Sequence, residues 1–576
     1  MISRVARARS ILLVLAITAL AFWLRAHVGE AGVSGMIFER HDEAHYRALV
    51  VQFLGGDFDV DYFINPTLTM LLVWGLVLLT GVIQVALGNF DSLGDFVFQA
   101  ALDPYWSTIV GRSLTLTVSV ASVVVLYRIG SRLSSPRVGL VAALALAVNR
   151  THVMRSHLFG SECLMVFLLL LFFWAALVYR ERPSVRRGAL AGLLLGLAAA
   201  VKYSSGIHLV TLATASLLAW RAAEGGPKTL LAPRYWVGVP GAAAGFVLGS
   251  PFTFVNFQAF LLEFRVQSAF LSEGYSPGDT RAAELGWITY VREFPLGNNG
   301  LAFAVLCGLG VIYVFARAIC RRDAAAWMLL AAALPAYIYL GSGIFSRTRF
   351  LLVSSPFILL LGAWALDAAV LAVARRLRRR AAERDGDPSW AWAPVLALGV
   401  AAMASGAVQT AGSIERLYVE DPRGALMTRM RERLGPARCL DICIRSPRYF
   451  AYPRGMSIVR PPDLGPDEKV QYEEVRAKYI WSRPMLNELR DLESFEEVRR
   501  RLVEGRETHV IICIHRTRIR GKPTLAEILI DARRSGTVQR LDGEVWSPLM
   551  DFFSGLKVVE QAQLHATSMW ILELPK

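Results

Sequence analysis

His41-Asp42-Glu43-Ala44-His45-Tyr46 follows the first apolar run of the chain, residues 10–26. Two adjacent carboxylates at the water-facing edge of a bilayer lose hydration beside lipid, so ionisable groups there are rare and, as a rule, functional. The rest of the chain supports a membrane setting. Of its 576 residues, 54% are hydrophobic and 19% charged, and mean hydropathy is +0.41. Apolar segments recur at 67–87, 108–127, 138–154, 163–179, 188–202, 204–220, 235–254, 298–316, 324–341, 350–372 and 390–410. Most have the length needed to cross a hydrocarbon core of about 30 Å. The expected fold class is a polytopic α-helical membrane protein, its partner the lipid bilayer.

The net charge of +15 follows topology rather than nucleic acid. Basic residues gather at the ends of apolar runs: Arg4, Arg7 and Arg9; Arg128, Arg132 and Arg137; Arg180 to Arg187; Arg317, Arg321 and Arg322; Arg375 to Arg384. Positive charge flanking spans marks the cytoplasmic side, so no nucleic-acid partner is expected. Parity then puts the N-terminus in the cytoplasm and gives about 11 crossings, provided 67–87 is interfacial or re-entrant. Residues 188–220, interrupted by Lys202, count as two short crossings. Residues 27–107, 255–297, 342–349 and the C-terminal region then lie outside the cytoplasmic (inner) membrane. The first apolar run lacks a convincing small-residue cleavage site and is expected to remain as a helix.

Composition changes near residue 415. The division expected is a membrane domain at 1–414 and an extracytoplasmic α/β domain at 415–576. Short β-type runs such as Cys439–Ile444, Val510–Ile514 and Met569–Leu574 alternate there with amphipathic stretches. Among its cysteines, a disulfide from Cys513 to Cys439 or Cys443 is left open.

Asp42 and Glu43 suit a general base, or a carboxylate that orients an attacking hydroxyl or amine. The competing role is a solvated acid at a helix start. His45, Tyr46 and Asp57 supply polar groups nearby, and Asn65-Pro66-Thr67-Leu68 follows.

The stretch Phe38–Tyr46, with the later Asn65–Leu68 element, resembles the GT-C glycosyltransferases of family 39, the protein O-mannosyltransferase and aminoarabinose-transferase type. That family pairs Asp-Glu in the first external loop with a later His/Lys-Pro-Pro-Leu element, from which Asn65–Leu68 departs at two of four positions. Arg112-Ser113-Leu114, the acid Glu162, the glycine-rich run 188–202 closing on Lys202, and Arg349-Phe350 before Pro356 also match in order. The likeness covers about residues 10–370.

The resemblance implies a membrane enzyme that moves one sugar from a polyprenyl-phosphate donor to a protein, lipid or glycan acceptor. It implies catalytic Asp42 and Glu43, donor-phosphate contacts from Arg349, Lys202 and Arg112, and acceptor contacts from Glu162, His45, Tyr46 and Asp57. No cofactor is expected. His152, His157 and Glu162 lack the stronger metal-ligand spacings, so a divalent metal is not supported. The oligosaccharyltransferase branch carries a Trp-Trp-Asp motif that this sequence lacks. The rival classes are a transporter or flippase of lipid-linked sugars, which would place ionisable groups at mid-bilayer, and a non-catalytic envelope scaffold.

Overall fold

The computed structural model describes residues 4–26, 41–58, 60, 63, 65–102, 105–223, 226–261, 264–265, 286–297, 299–343, 348–380 and 392–418, and five strands beyond residue 438. The chain divides into two compact units. One comprises Met1–Gly29, Phe58–Val73 and Val110–Arg416; the other comprises Glu30–Asp57, Trp74–Ile109 and Leu417–Lys576.

All twelve apolar segments are helical, with breaks in some. Among the described residues, eight helices are long and apolar enough to cross a membrane: Arg9–Ala26, Leu68–Ala86, Tyr105–Leu133, Glu162–Glu181, Leu301–Cys320, Ala324–Gly341, Ser355–Arg376 and Pro394–Ile414. The other four segments give helices of 12 to 15 residues: Pro136–Ala147, Val185–Ala199, Leu209–Ala222 and Gly238–Gly249. At 1.5 Å per residue these reach only about 18–22 Å, so the expected count of about 11 includes helices that need their flanking turns to complete a crossing. Leu68–Ala86 is one unbroken helix of 19 residues. Large apolar side chains such as Leu12, Leu79, Ile312 and Val408 are exposed along these helices, as lipid contact requires.

Within the first unit, contacts fix the direction of each short helix. Glu162–Glu181 and Val185–Ala199 form a hairpin: Lys202 returns to Glu162, while Gly188 lies against Tyr179. Leu209–Ala222 then runs alongside Glu162–Glu181, with His208 beside Phe172 and Ser216 bonded to the Tyr179 hydroxyl at 3.2 Å. Residues 188–222 thus go out and back, as two short crossings do.

The next helix, Gly238–Gly249, runs parallel to Val185–Ala199 in the closest packing of the bundle. A Cβ added at Gly192 would stand 2.0 Å from the Gly238 carbonyl oxygen; one at Gly196 would stand 2.0 Å from that of Ala242. Glycines four apart on one face let the two backbones touch, and that contact replaces the hydrophobic drive that lipid cannot supply.

In the second unit the helices His41–Leu54 and Leu93–Leu102 pack together. A five-stranded sheet comprises β1 (Cys439–Ile444), β2 (Ser482–Pro484), β3 (His509–His515), β4 (Lys557–Leu564) and β5 (Thr567–Glu573). Its order is β2-β1-β3-β5-β4, parallel among β2, β1 and β3 and antiparallel among β3, β5 and β4. The three apolar runs singled out in the sequence are its central strands. Parallel neighbours need long crossovers, in keeping with an α/β arrangement. Cys443 and Cys513 are register partners, whereas Cys439 is paired with His509.

Candidate active site

The glycine-paired helix stops just before Lys202. Ala200 caps it, and Lys202 is extended (φ −154°, ψ 123°) before the 3₁₀ turn Tyr203–His208. That break puts the ammonium beside Glu162, Nζ to Oε1 3.3 Å, with side chains 18% and 6% exposed. Glu162 is the first residue of its helix, where the helix dipole favours a negative charge. Gly160 leaves room for it: a Cβ there would stand 3.1 Å from Glu162 Oε2.

A second 3₁₀ turn, Thr348–Val353, carries Arg349 and Phe350. Its last three residues, Leu351, Leu352 and Val353, are buried. Lys202 Nζ lies 5.5 Å from the centroid of the Phe350 ring and Arg349 Cζ lies 5.6 Å from it. One aromatic ring thus bears two cations, an arrangement its quadrupole favours. The Glu162 carboxylate feels the charges of Lys202, Arg155 and Arg349. Fixed cations of this kind stabilise charge that develops on a leaving phosphate.

The Asn65–Leu68 element docks beside this cluster. The Leu68 amide donates to the Ala200 carbonyl at 3.2 Å, and the Thr67 hydroxyl donates to the Gly249 carbonyl at 3.3 Å. It therefore sits where both glycine-rich helices end, two residues from Lys202. Arg112 is buried in Tyr105–Leu133. Its neighbour Gly111 abuts Phe159, where a Cβ would come within 2.4 Å of the ring. Arg112 thus borders the loop that leads into Glu162.

The acidic residues lie in the second unit. Asp42, Glu43, His45 and Tyr46 share the helix His41–Leu54. Glu43 and Tyr46, three apart and so on one side of the helix, are both buried, as is Arg47. The side chains of Asp42 and His45 lie outside the described residues. Asp57 is half-buried after a turn through Gly56 at φ +76°, and its amide donates to the Gln52 carbonyl at 3.1 Å.

Of the residues expected from sequence, the structure joins Glu162, Lys202 and Arg349. Glu162 and Lys202, expected on different substrates, form one ion pair. Arg155 and the Phe350 ring belong to the cluster without having been assigned a role, although Phe350 stands beside Arg349 in the motif quoted for it. Among the described residues no three His, Cys, Asp or Glu side chains gather to hold a metal.

A family model described as dolichyl-phosphate-mannose-protein mannosyltransferase matches residues 106–252, which include Arg112, Glu162 and Lys202. No curated protein matches the chain by sequence. Among solved structures, the chain resembles the apo oligosaccharyltransferase of Archaeoglobus fulgidus (TM-score 0.53, 13% identity, 94% of this chain and 72% of that one). It also resembles the AglB oligosaccharyltransferase of that organism in complex with an inhibitory peptide and a dolichol-phosphate (TM-score 0.52, 12% identity, 99% and 74%). A third similar structure is ArnT from Cupriavidus metallidurans bound to undecaprenyl phosphate (TM-score 0.53, 14% identity, 98% of both chains). With its helical bundle, its cation cluster at one end and these likenesses along nearly its whole length, the chain has the GT-C fold of membrane glycosyltransferases.

Proposed function

We propose that this protein is an integral-membrane glycosyltransferase of the inner membrane, moving one sugar from a polyprenyl-phosphate donor to an acceptor on the outer face. The observation that carries the proposal is the convergence of Lys202 and Arg349 on the Phe350 ring, beside Glu162. The solved relatives named as bound to undecaprenyl phosphate and dolichol-phosphate support a lipid-phosphate ligand for this fold. In the reaction, Asp42 orients and deprotonates an acceptor hydroxyl or amine as it attacks the anomeric carbon. The bond from that carbon to the phosphate oxygen breaks, and the polyprenyl phosphate leaves with the bonding pair. Lys202 and Arg349 offset the added charge, and Glu162 holds the Lys202 ammonium in place. Glu43, His45, Tyr46 and Asp57 contact the acceptor, and Arg112 adds positive charge for the donor phosphate.

Mass spectrometry of polyprenyl-phosphate sugars from host cells with wild-type or Asp42→Asn protein at matched levels tests this. Accumulation of one monosaccharide-linked lipid in the variant is the expected result and names the donor. Unchanged lipid pools together with unchanged glycan products, the variant being folded, would remove Asp42 from the chemistry and favour transport or scaffolding.

A further inference from the structure

Lys202 and Arg349 come from two 3₁₀ turns far apart in sequence, and one buried side chain ties the turns together. His208 closes the turn that begins after Lys202. Its Nε2 stands 3.1 Å from the Val353 carbonyl oxygen, which closes the turn bearing Arg349. A carbonyl only accepts, so Nε2 carries the proton. On the other side of the ring, the Thr211 hydroxyl shares its one proton between two acceptors, Nδ1 at 3.3 Å and the Ala331 carbonyl at 2.9 Å. The imidazole packs against Phe172 and Phe357, with centroids 6.3 and 5.4 Å away. The ring is buried and touches no cation of the cluster in these contacts; what it fixes is the separation of the two turns.

We infer that His208 is a positioning residue that sets the spacing of Lys202 and Arg349 for a phosphate. The inference rests on the donor reading above. Both cations sit on short turns, so a shift of one turn against the other moves a cation off the shared Phe350 ring. A neutral hydrogen bond inside the bundle is an economical way to lock such a register, because the carbonyl has no water to turn to. The role also explains a polar ring placed among phenylalanines.

The test uses undecaprenyl phosphate binding to the full-length protein in lipid nanodiscs, read beside thermal unfolding. His208→Gln keeps an N–H at the Nε2 position, whereas His208→Asn cannot reach Val353. Displacing a recognition group by about an ångström weakens productive binding strongly, so His208→Asn is expected to bind about tenfold more weakly while His208→Gln stays within about twofold of wild type. A folded His208→Asn protein with wild-type affinity overturns the positioning role. Lys202→Ala and Arg349→Ala are the controls for the donor reading. If both bind as wild type, the phosphate site itself is wrong; if they lose binding and His208→Asn does not, only the positioning role fails. If the His208 variants do not fold, Thr211→Val decides. Weakened binding there supports the latch, since that hydroxyl holds the ring's far side, and wild-type affinity overturns it.

Discussion

The two ends of the helix bundle handle their cations differently. At the end where Glu162–Glu181 terminates, several cations bond acids directly. Arg137 bonds Asp367 at 2.7 Å, Arg317 bonds Asp323 at 2.9 Å, and Arg132 pairs with Glu181. Ser135 adds a bond to Asp367 at 3.1 Å, and the Trp364 ring stacks on Arg317 at 5.0 Å. At the other end Glu162 lies among Lys202, Arg155 and Arg349, and Lys202 and Arg349 share the Phe350 ring. The first arrangement closes helix turns. The second gathers cations from two turns around one acid and one ring. Both ends look alike in sequence, as basic residues at the edges of apolar runs; what separates them is that cations meet acids pair by pair at one end and converge on a shared ring at the other.

The largest way to break this contrast is to remove the frame beneath it. In Gly196→Leu the side chain must occupy space where even a Cβ stands 2.0 Å from the Ala242 carbonyl. The two helices must part, and size-exclusion profiles should show loss of folded protein.

At the paired end, Asp367→Asn leaves a mostly buried Arg137 without its counter-charge, the side chains being 14% and 4% exposed. Breaking such a pair destabilises by about 3 kcal/mol. Thermal unfolding in detergent should shift down while donor binding per folded molecule holds.

Arg349→Ala reverses that pattern. Loss of one fixed cation from a charge-stabilising site lowers turnover by about 100-fold, and the unfolding temperature should barely move. An equal fall in stability would make Arg349 a structural cation like Arg137 and erase the contrast. Arg132→Ala has the smallest effect. Its pair with Glu181 is about one-third exposed on both sides, and solvent screens such pairs to under about 1 kcal/mol. Unfolding and turnover should both stay near wild type.

Much of the fold was legible because its signals are local. Apolar length marked all twelve helical segments, and the charge pattern gave their ends. The Gly188, Gly192 and Gly196 spacing belongs to one helix face, and the structure uses Gly192 and Gly196 for its close packing. The division of 188–220 into two helices around Lys202 was legible as well, since the chain leaves helical geometry at that lysine and the turn after it. Helix length was less legible. Pro136–Ala147 ends at Val148 with Asn149 capping the next short helix, a break set by caps rather than by hydropathy.

The site divides in the same way. Sequence alone singled out the residues proposed for the chemistry: Asp42 and Glu43 after a span, Lys202 ending a glycine-rich helix, Arg349 opening another helix. Each stands out because a charge near lipid needs a reason. Only the tertiary structure decided that Glu162 and Lys202 neutralise one another, that Phe350 bears two cations, and that His208 joins their turns. Those relations depend on the distance between turns that lie far apart along the chain, and such distances are set by glycine-deep helix contacts and buried hydrogen bonds, which no local pattern of residues records.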